Sequence, residues 1–185
     1  MDSSYISMEP MKTRHASQLV MTYQIMIDRL KACGINPKKH VLDNECAEEF
    51  KDAIRANKMT YELVPADDHR RNIAERAIQT AKSHVISVLC GCDPNFSMHL
   101  WDLLIPQMEI QLNLQRQSRT VLKVSAYAHH YGAYDFNART SCPLRYGGGV
   151  PREASNEGKR MGVEIMRTIM VSVGQNFGYR TGLPL

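Results

Sequence analysis

Two acidic residues stand where carboxylates could hold a metal ion in this 185-residue chain. Asp43 ends the short apolar stretch HVLD, and Glu75 lies in the basic stretch HRRNIAERAIQTAK. The two acids are 32 positions apart, which leaves room for a helix, a strand and a loop and allows both carboxylates to meet at one end of a sheet. Such a pair suits Mg²⁺, or Mn²⁺ in its place, because these ions prefer oxygen ligands.

The residues around Glu75 predict the chemistry that such a metal site would perform. Two bound ions about 4 Å apart can hold the attacking and the leaving oxygen of a phosphodiester exchange. Lys82 lies seven positions after Glu75, nearly two helical turns, so both side chains point the same way. Neighbouring cations would neutralise nucleic-acid phosphates; they are Arg70, Arg71, Arg76 and Lys82. The pattern therefore predicts a nucleic acid as the partner and phosphoryl transfer as the reaction.

Each of these residues also has a purely structural interpretation, and spacing alone leaves it open. An aspartate after a strand is often a turn residue, and a glutamate in a basic helix often forms a surface ion pair. Lys82 can equally be a solvated surface lysine. Four further acids and two histidines are interpreted as solvated or as loop and surface residues; they are Asp67, Asp68, Asp102, Glu109, His129 and His130.

Hydrophobic periodicity predicts the elements that position the two acids. The predicted strands cover 5–8, 40–43 and 59–65, and the predicted helices cover 14–32, 46–56, 71–89 and 97–115, the last with a kink at Pro106. This alternation of strands and helices is typical of an α/β layer fold. In the helix over 71–89, most apolar residues lie across the helix from Glu75, so one side faces a core and the other carries mixed charge.

Composition fits a single globular domain without a membrane segment. Hydrophobic residues make up 43% of the chain and charged residues 23%, and the net charge of +4 indicates a polyanionic partner only weakly. No apolar run approaches the roughly 20 residues that a membrane-spanning helix requires. The five cysteines form an odd, irregular set, which indicates reduced thiols in an intracellular protein of the nucleus or cytoplasm.

Several motifs together resemble the catalytic core of retroelement integrases. VLDNE…F matches an acid at a strand end, and HRRNIAERAIQTAK matches the later N/G-x-x-E element with its lysine seven positions on. LWDLLIPQMEIQLNLQRQSR is similar to a segment of copia-type integrases, with Trp101 and Asn113 in place. SAYAHHYG is similar to a later S/P-Y-x-x-x-x-G stretch of the family. The resemblance covers about residues 1–140.

The resemblance implies a ribonuclease H-like fold and Mg²⁺-dependent transfer of element DNA strands into target DNA. By position, Asp43 and Glu75 would be the catalytic residues and metal ligands, and Lys82 would contact the DNA end. Arg70, Arg71 and Asn72 would lie in the loop before the catalytic helix, and Arg76 would add a further DNA contact within it.

The chain also departs from the family. The family requires a third acid on a strand upstream of Asp43, and Asp2 has no strand around it that would make it this ligand. We therefore expect an N-terminally truncated integrase core that lacks its first strand and is defective in strand transfer. The sequence predicts this core over 1–140 and a divergent, weakly ordered tail over 141–185. The alternatives are a non-catalytic nucleic-acid-binding module, a homodimerising one, and a chain without a stable fold.

Overall fold

The computed structural model describes residues 3–13, 15–43, 46–64, 73–92, 96–138, 169–173 and 176–178. Helices and strands alternate along the chain, as the sequence predicts, and give a mixed α/β architecture. The elements are β1 (Ile6–Pro10), α1 (Ala16–Ala32), β2 (Lys39–Asp43), α2 (Glu48–Ala56), β3 (Thr60–Val64), α3 (Ile73–Cys90), a 3-10 helix (Met98–Leu104), α4 (Ile105–Gln115), α5 (Ala126–Tyr131), β4 (Ile169–Val173) and β5 (Asn176–Gly178).

The predicted elements appear within a few residues of their expected positions, with one exception. The stretch over 97–115 is divided into the 3-10 helix and α4 and does not form one kinked helix. Pro106 lies in the first turn of α4, where its missing N–H has no helical partner to lose and its fixed φ suits a helix start. The proline therefore begins a helix here.

The five strands form one sheet in the order β1-β4-β5-β2-β3. β1 pairs with β4 and β4 with β5 in antiparallel fashion, while β5, β2 and β3 run parallel. Ile6 lies opposite Val173 at one end of the β1–β4 ladder, and Val41 of β2 lies opposite Asn176 of β5. β2 is therefore an inner strand, and β1 and β3 form the two edges of the sheet.

β4 and β5 lie inside the stretch over 141–185 that the sequence analysis predicts to be weakly ordered. β4 pairs with the full length of β1, and β5 links β4 to β2. These pairings join residues more than 130 positions apart, so no local periodicity could predict them. The predicted domain boundary near residue 140 stays a prediction, because it lies outside the described residues.

Helices cover both faces of the sheet. On one face, Leu42 of β2 packs with Tyr23 of α1 and Phe50 of α2, whose rings lie 4.8 Å apart. On the other face, Ile6 and Met8 of β1 pack against the α3 residues Ala77, Ala81, Val85 and Leu89. The ion pair between Glu9 and Arg29 of α1, at 2.6 Å, confirms that alternate residues of β1 face opposite helical layers.

Side chains of α4 cap the outer edge of β1. The N–H of Ile6 donates to Asn113 Oδ1 at 2.8 Å, and Asn113 Nδ2 donates to the carbonyl oxygen of Ile6 at 2.7 Å. One turn earlier, Glu109 Oε2 accepts from the N–H of Met8 at 2.7 Å. Arg116 Nε extends the cap by donating to the carbonyl oxygen of Ser4 at 3.1 Å. These side chains occupy the backbone groups that an added strand would use.

The prediction that Glu109 is solvated is wrong, whereas Asp102 is exposed as predicted. Glu109 is 9% exposed and also accepts a hydrogen bond from the hydroxyl of Tyr5 at 2.6 Å. It lies on the same face of α4 as Ile105 and Leu112, which are core residues. An acid within an apolar face at helical spacing was the signal that could have identified it.

Candidate nucleic-acid interface

Asp43 occupies the position that the sequence predicts, at the end of a strand. It is the last residue of β2 and lies opposite Val64, the last residue of β3. Because β2 and β3 are parallel, both strands end at the same edge of the sheet. Alternation along β2 puts positions 41 and 43 on the face opposite to His40 and Leu42, which lie on the α1 side.

Glu75 lies in the first turn of α3, as predicted. α3 is amphipathic because small and branched apolar residues recur at helical spacing and are buried against the sheet; they are Ala74, Ala77, Ala81, Val85 and Leu89. Glu75 and Lys82 are both half-buried, while Arg76 and Gln79 are exposed. The acid and the lysine therefore share one flank of the helix, between its buried and its exposed sides.

Neither Glu75 nor Lys82 forms an ion pair with another residue in the described part of the chain. Surface ion pairs of the described residues lie instead on α2, where Lys51 and Arg55 contact Glu48, and between Lys39 and Glu62 of β2 and β3. A half-buried acid and a half-buried cation on one flank thus both face solvent-accessible space. Such a flank can receive a phosphate at Lys82.

α3, which carries Glu75, packs on the face of the sheet opposite to α1 and α2, and it begins after β3 in the chain. The predicted DNA contacts Arg70, Arg71 and Asn72 lie outside the described residues, as do Asp67 and Asp68. The catalytic and metal-ligand roles of Asp43 and Glu75 stay predictions.

The residues of the sheet do not supply a complete magnesium site. No group of three or more histidine, cysteine, aspartate or glutamate side chains within the described ranges is arranged to hold a metal ion. β5 borders β2 on the side away from β3, and its residues are Asn176, Phe177 and Gly178.

His129 and His130 lie on α5, although the sequence predicts a loop or surface role for them. His130 Nε2 is hydrogen-bonded to the hydroxyl of Ser3, and its ring lies 4.6 Å from the ring of Tyr5. Burial, assisted by the neighbouring His129, lowers the pKa of His130 to about 4. The ring therefore packs as a neutral aromatic group at neutral pH.

The lowered pKa of His130 predicts a pH-dependent stability. Between its folded pKa of about 4 and an unfolded pKa of about 6.5, the unfolded chain binds the extra proton, so stability falls as the pH falls. Because the ring is only half-buried, we expect a loss on the order of 1 kcal/mol between pH 7 and pH 5. Urea denaturation of the parent and of His130→Phe at both pH values measures this.

The comparison of parent and variant isolates the histidine. Glu109 acts in the opposite direction, because burial raises the pKa of its carboxyl group, and its contribution is common to both proteins. The His130→Phe variant should lose about 1 kcal/mol less than the parent between the two pH values. An equal loss in both proteins would assign the pH dependence to other groups.

Comparison with known proteins adds no family assignment. The chain matches no protein-family model, and no curated protein is significantly similar to it. Among the described helices, none combines the length and the apolar character that crossing a membrane demands. The cysteines in the described ranges, Cys33, Cys46, Cys90 and Cys92, all carry free thiols.

Proposed function

We propose that this chain is a DNA-binding domain of the retroelement integrase type in which strand transfer is defective. The observation that carries the proposal is the flank of α3, where Glu75 and Lys82 are half-buried, point the same way and pair with no other described residue. Arg76 is exposed beside them. This flank provides cations for a phosphate backbone next to the sheet edge where β2 ends at Asp43.

The sheet supports the finer assignment to a ribonuclease H-like fold. Three antiparallel strands, β1, β4 and β5, border the parallel strands β2 and β3, and helices cover both faces. In this chain the places beside β1 and β2 are filled by strands from residues 169–178 and not by strands that precede β1. β5, the strand beside β2 on the side away from β3, carries no acid in its described residues, which supports loss of Mg²⁺-dependent or Mn²⁺-dependent chemistry.

The outer edge of β1 favours DNA binding over the dimerising alternative. That alternative depends on backbone groups left unpaired by a missing strand. Here β1 pairs with β4 on its inner side and is capped by Asn113 and Glu109 on its outer side. The N–H and carbonyl groups of Ile6 and the N–H of Met8 are already occupied, which disfavours strand pairing between two copies at β1.

Salt-dependent binding to duplex DNA tests the proposal. Each removed phosphate contact should weaken binding about fivefold to tenfold near 0.1 M salt and should lower the salt slope by about 1. We expect this for Lys82→Gln and for Arg76→Gln, measured by fluorescence anisotropy with a labelled duplex. Lys31→Gln is the matched control, because Lys31 is an exposed lysine of α1 on the opposite helical layer.

The roles of the two acids are tested separately. With Mg²⁺ or Mn²⁺ and element-end DNA, we expect no strand transfer by the parent, and we expect Glu75→Gln to bind duplex as well as the parent or better. Strand transfer that disappears in Glu75→Gln would contradict the proposed defect but not DNA binding. Equal weakening by Lys31→Gln and Lys82→Gln would contradict the assignment of the interface to α3.

A further inference from the structure

A row of aromatic rings leads from the core near β1 to the surface after α5. The ring of the buried Tyr127 lies 5.1 Å from Tyr131 and 5.3 Å from Tyr134, and Tyr134 lies 4.8 Å from Phe136. Tyr131 is 48% exposed and Phe136 is 63% exposed. We call Tyr131, Tyr134 and Phe136 the aromatic strip. The rings of Tyr131 and Phe136 present apolar area to solvent. Tyr131 packs directly on the buried Tyr127, and Phe136 is connected to it through Tyr134.

Local hydrogen bonds fix the backbone that carries the aromatic strip. Ser125 caps α5 by accepting from the N–H of Ala128 at 3.1 Å. Gly132 ends α5 with a φ of 80°, a conformation that favours glycine, and turns the chain toward Tyr134. Asp135 Oδ1 then accepts from the N–H groups of Asn137 and Ala138 at 2.8 and 3.1 Å. The exposed rings are therefore positioned in advance of any ligand.

The chain around the aromatic strip is basic. The loop between α4 and α5 is closed by the bridge between Gln117 and Ser125, and the hydrogen bond between Ser118 Oγ and His129 Nδ1, at 3.4 Å, holds it against α5. This loop carries Arg119 and Lys123, both exposed. Residues 116–138 contain three cationic side chains and one acid. That acid is Asp135, and its carboxylate already accepts hydrogen bonds from the backbone N–H groups of Asn137 and Ala138.

We propose that the aromatic strip stacks on the unpaired bases of single-stranded DNA while the cations of the adjacent loop contact its phosphates. Exposed aromatic rings beside cations are how proteins bind single strands without reading sequence, since every base has a face on which a ring can stack. The strip lies on α5 and the residues after it, and shares no residue with the α3 flank. It is therefore a second nucleic-acid site, distinct from the duplex-binding function proposed above.

Binding of a labelled oligothymidylate of about 12 nucleotides, followed by fluorescence anisotropy at low salt, tests this site. We expect Phe136→Ala and Phe136→Leu each to weaken binding about tenfold or more, because both remove the ring. Phe136→Trp should bind like the parent. Leu122→Ala is the matched control, since Leu122 is an exposed apolar residue of the adjacent loop without a ring, and it should leave binding unchanged.

Each other outcome has a defined meaning. If Phe136→Leu binds like the parent, or if Leu122→Ala weakens binding equally, the surface is a general apolar contact and the stacking proposal is wrong. Absence of oligothymidylate binding by the parent would also overturn it. Lys82→Gln should weaken duplex binding and leave oligothymidylate binding intact, so failure of the α3 interface and failure of the aromatic strip are distinguishable.

Discussion

Replacement of Asn113 by alanine should lower the free energy of unfolding by about 3 kcal/mol. The Asn113 side chain is fully buried, accepts from the N–H of Ile6, and donates to the carbonyl oxygens of Ile6 and of Glu109. Because Ile6 is itself fully buried, water cannot replace the lost partner, and each orphaned backbone group costs about 1–3 kcal/mol. Urea denaturation monitored by circular dichroism measures the difference.

Gln115→Ala is the control for Asn113→Ala, because Gln115 lies on the same helix and is exposed. Its effect should stay within about 0.5 kcal/mol. If Asn113→Ala lowers the free energy of unfolding by less than about 1 kcal/mol, with an unchanged slope of that free energy against urea concentration, the edge of β1 does not depend on this side chain.

Replacement of Glu109 by alanine should cost about 3–4 kcal/mol, because it removes a buried carboxylate with several donors directed at it. The N–H of Met8 and the hydroxyl of Tyr5 would both lose their acceptor inside the protein. Glu109→Gln should cost only about 1 kcal/mol, since the amide oxygen can still accept from Met8 and the tyrosine hydroxyl can turn to accept from the amide nitrogen. Thermal and urea unfolding of both variants test this order.

The pH dependence of the glutamine variant gives an independent test. Burial raises the pKa of Glu109, so its carboxyl group keeps a proton to higher pH in the folded protein than in the unfolded chain. The stability that this pKa shift contributes is fully present below the unfolded pKa of about 4.5. It is lost as the pH rises through the raised pKa of the folded protein. The stability difference between parent and Glu109→Gln should therefore shrink as the pH rises. Asp102→Asn, at an exposed acid on the segment before α4, should show no such trend.

The local part of this architecture follows from the sequence because its determinants are local. The strand that ends at Asp43 and the helix that carries Glu75 are each encoded by the spacing of apolar residues over a few turns or alternations. The shared direction of Glu75 and Lys82 follows from helical geometry alone, and the structure gives both the same degree of burial. For these residues, the spacing of apolar residues along the chain was sufficient to predict the secondary structure.

The remaining features depend on contacts between distant parts of the chain. Glu109 was predicted to be solvated because charge suggests exposure, yet it is buried where α4 crosses the edge of β1. Asn113 matched a family segment without a stated role, and its role is to hold the backbone of Ile6. Pairing of β4 and β5 with strands far away in the sequence leaves no periodic signature, so the strand beside Asp43 was not predictable.

The positions of β4 and β5 between β1 and β2 determine when the sheet can be completed during synthesis of the chain. Ile6 lies opposite Val173 in the ladder, so the chain as far as Val173 must leave the ribosome before β1 can pair with β4. Until then, no strand lies between β1 and β2, and the sheet is incomplete. Completion of the sheet therefore depends on pairing between segments far apart in the chain and is expected to be a late step of folding.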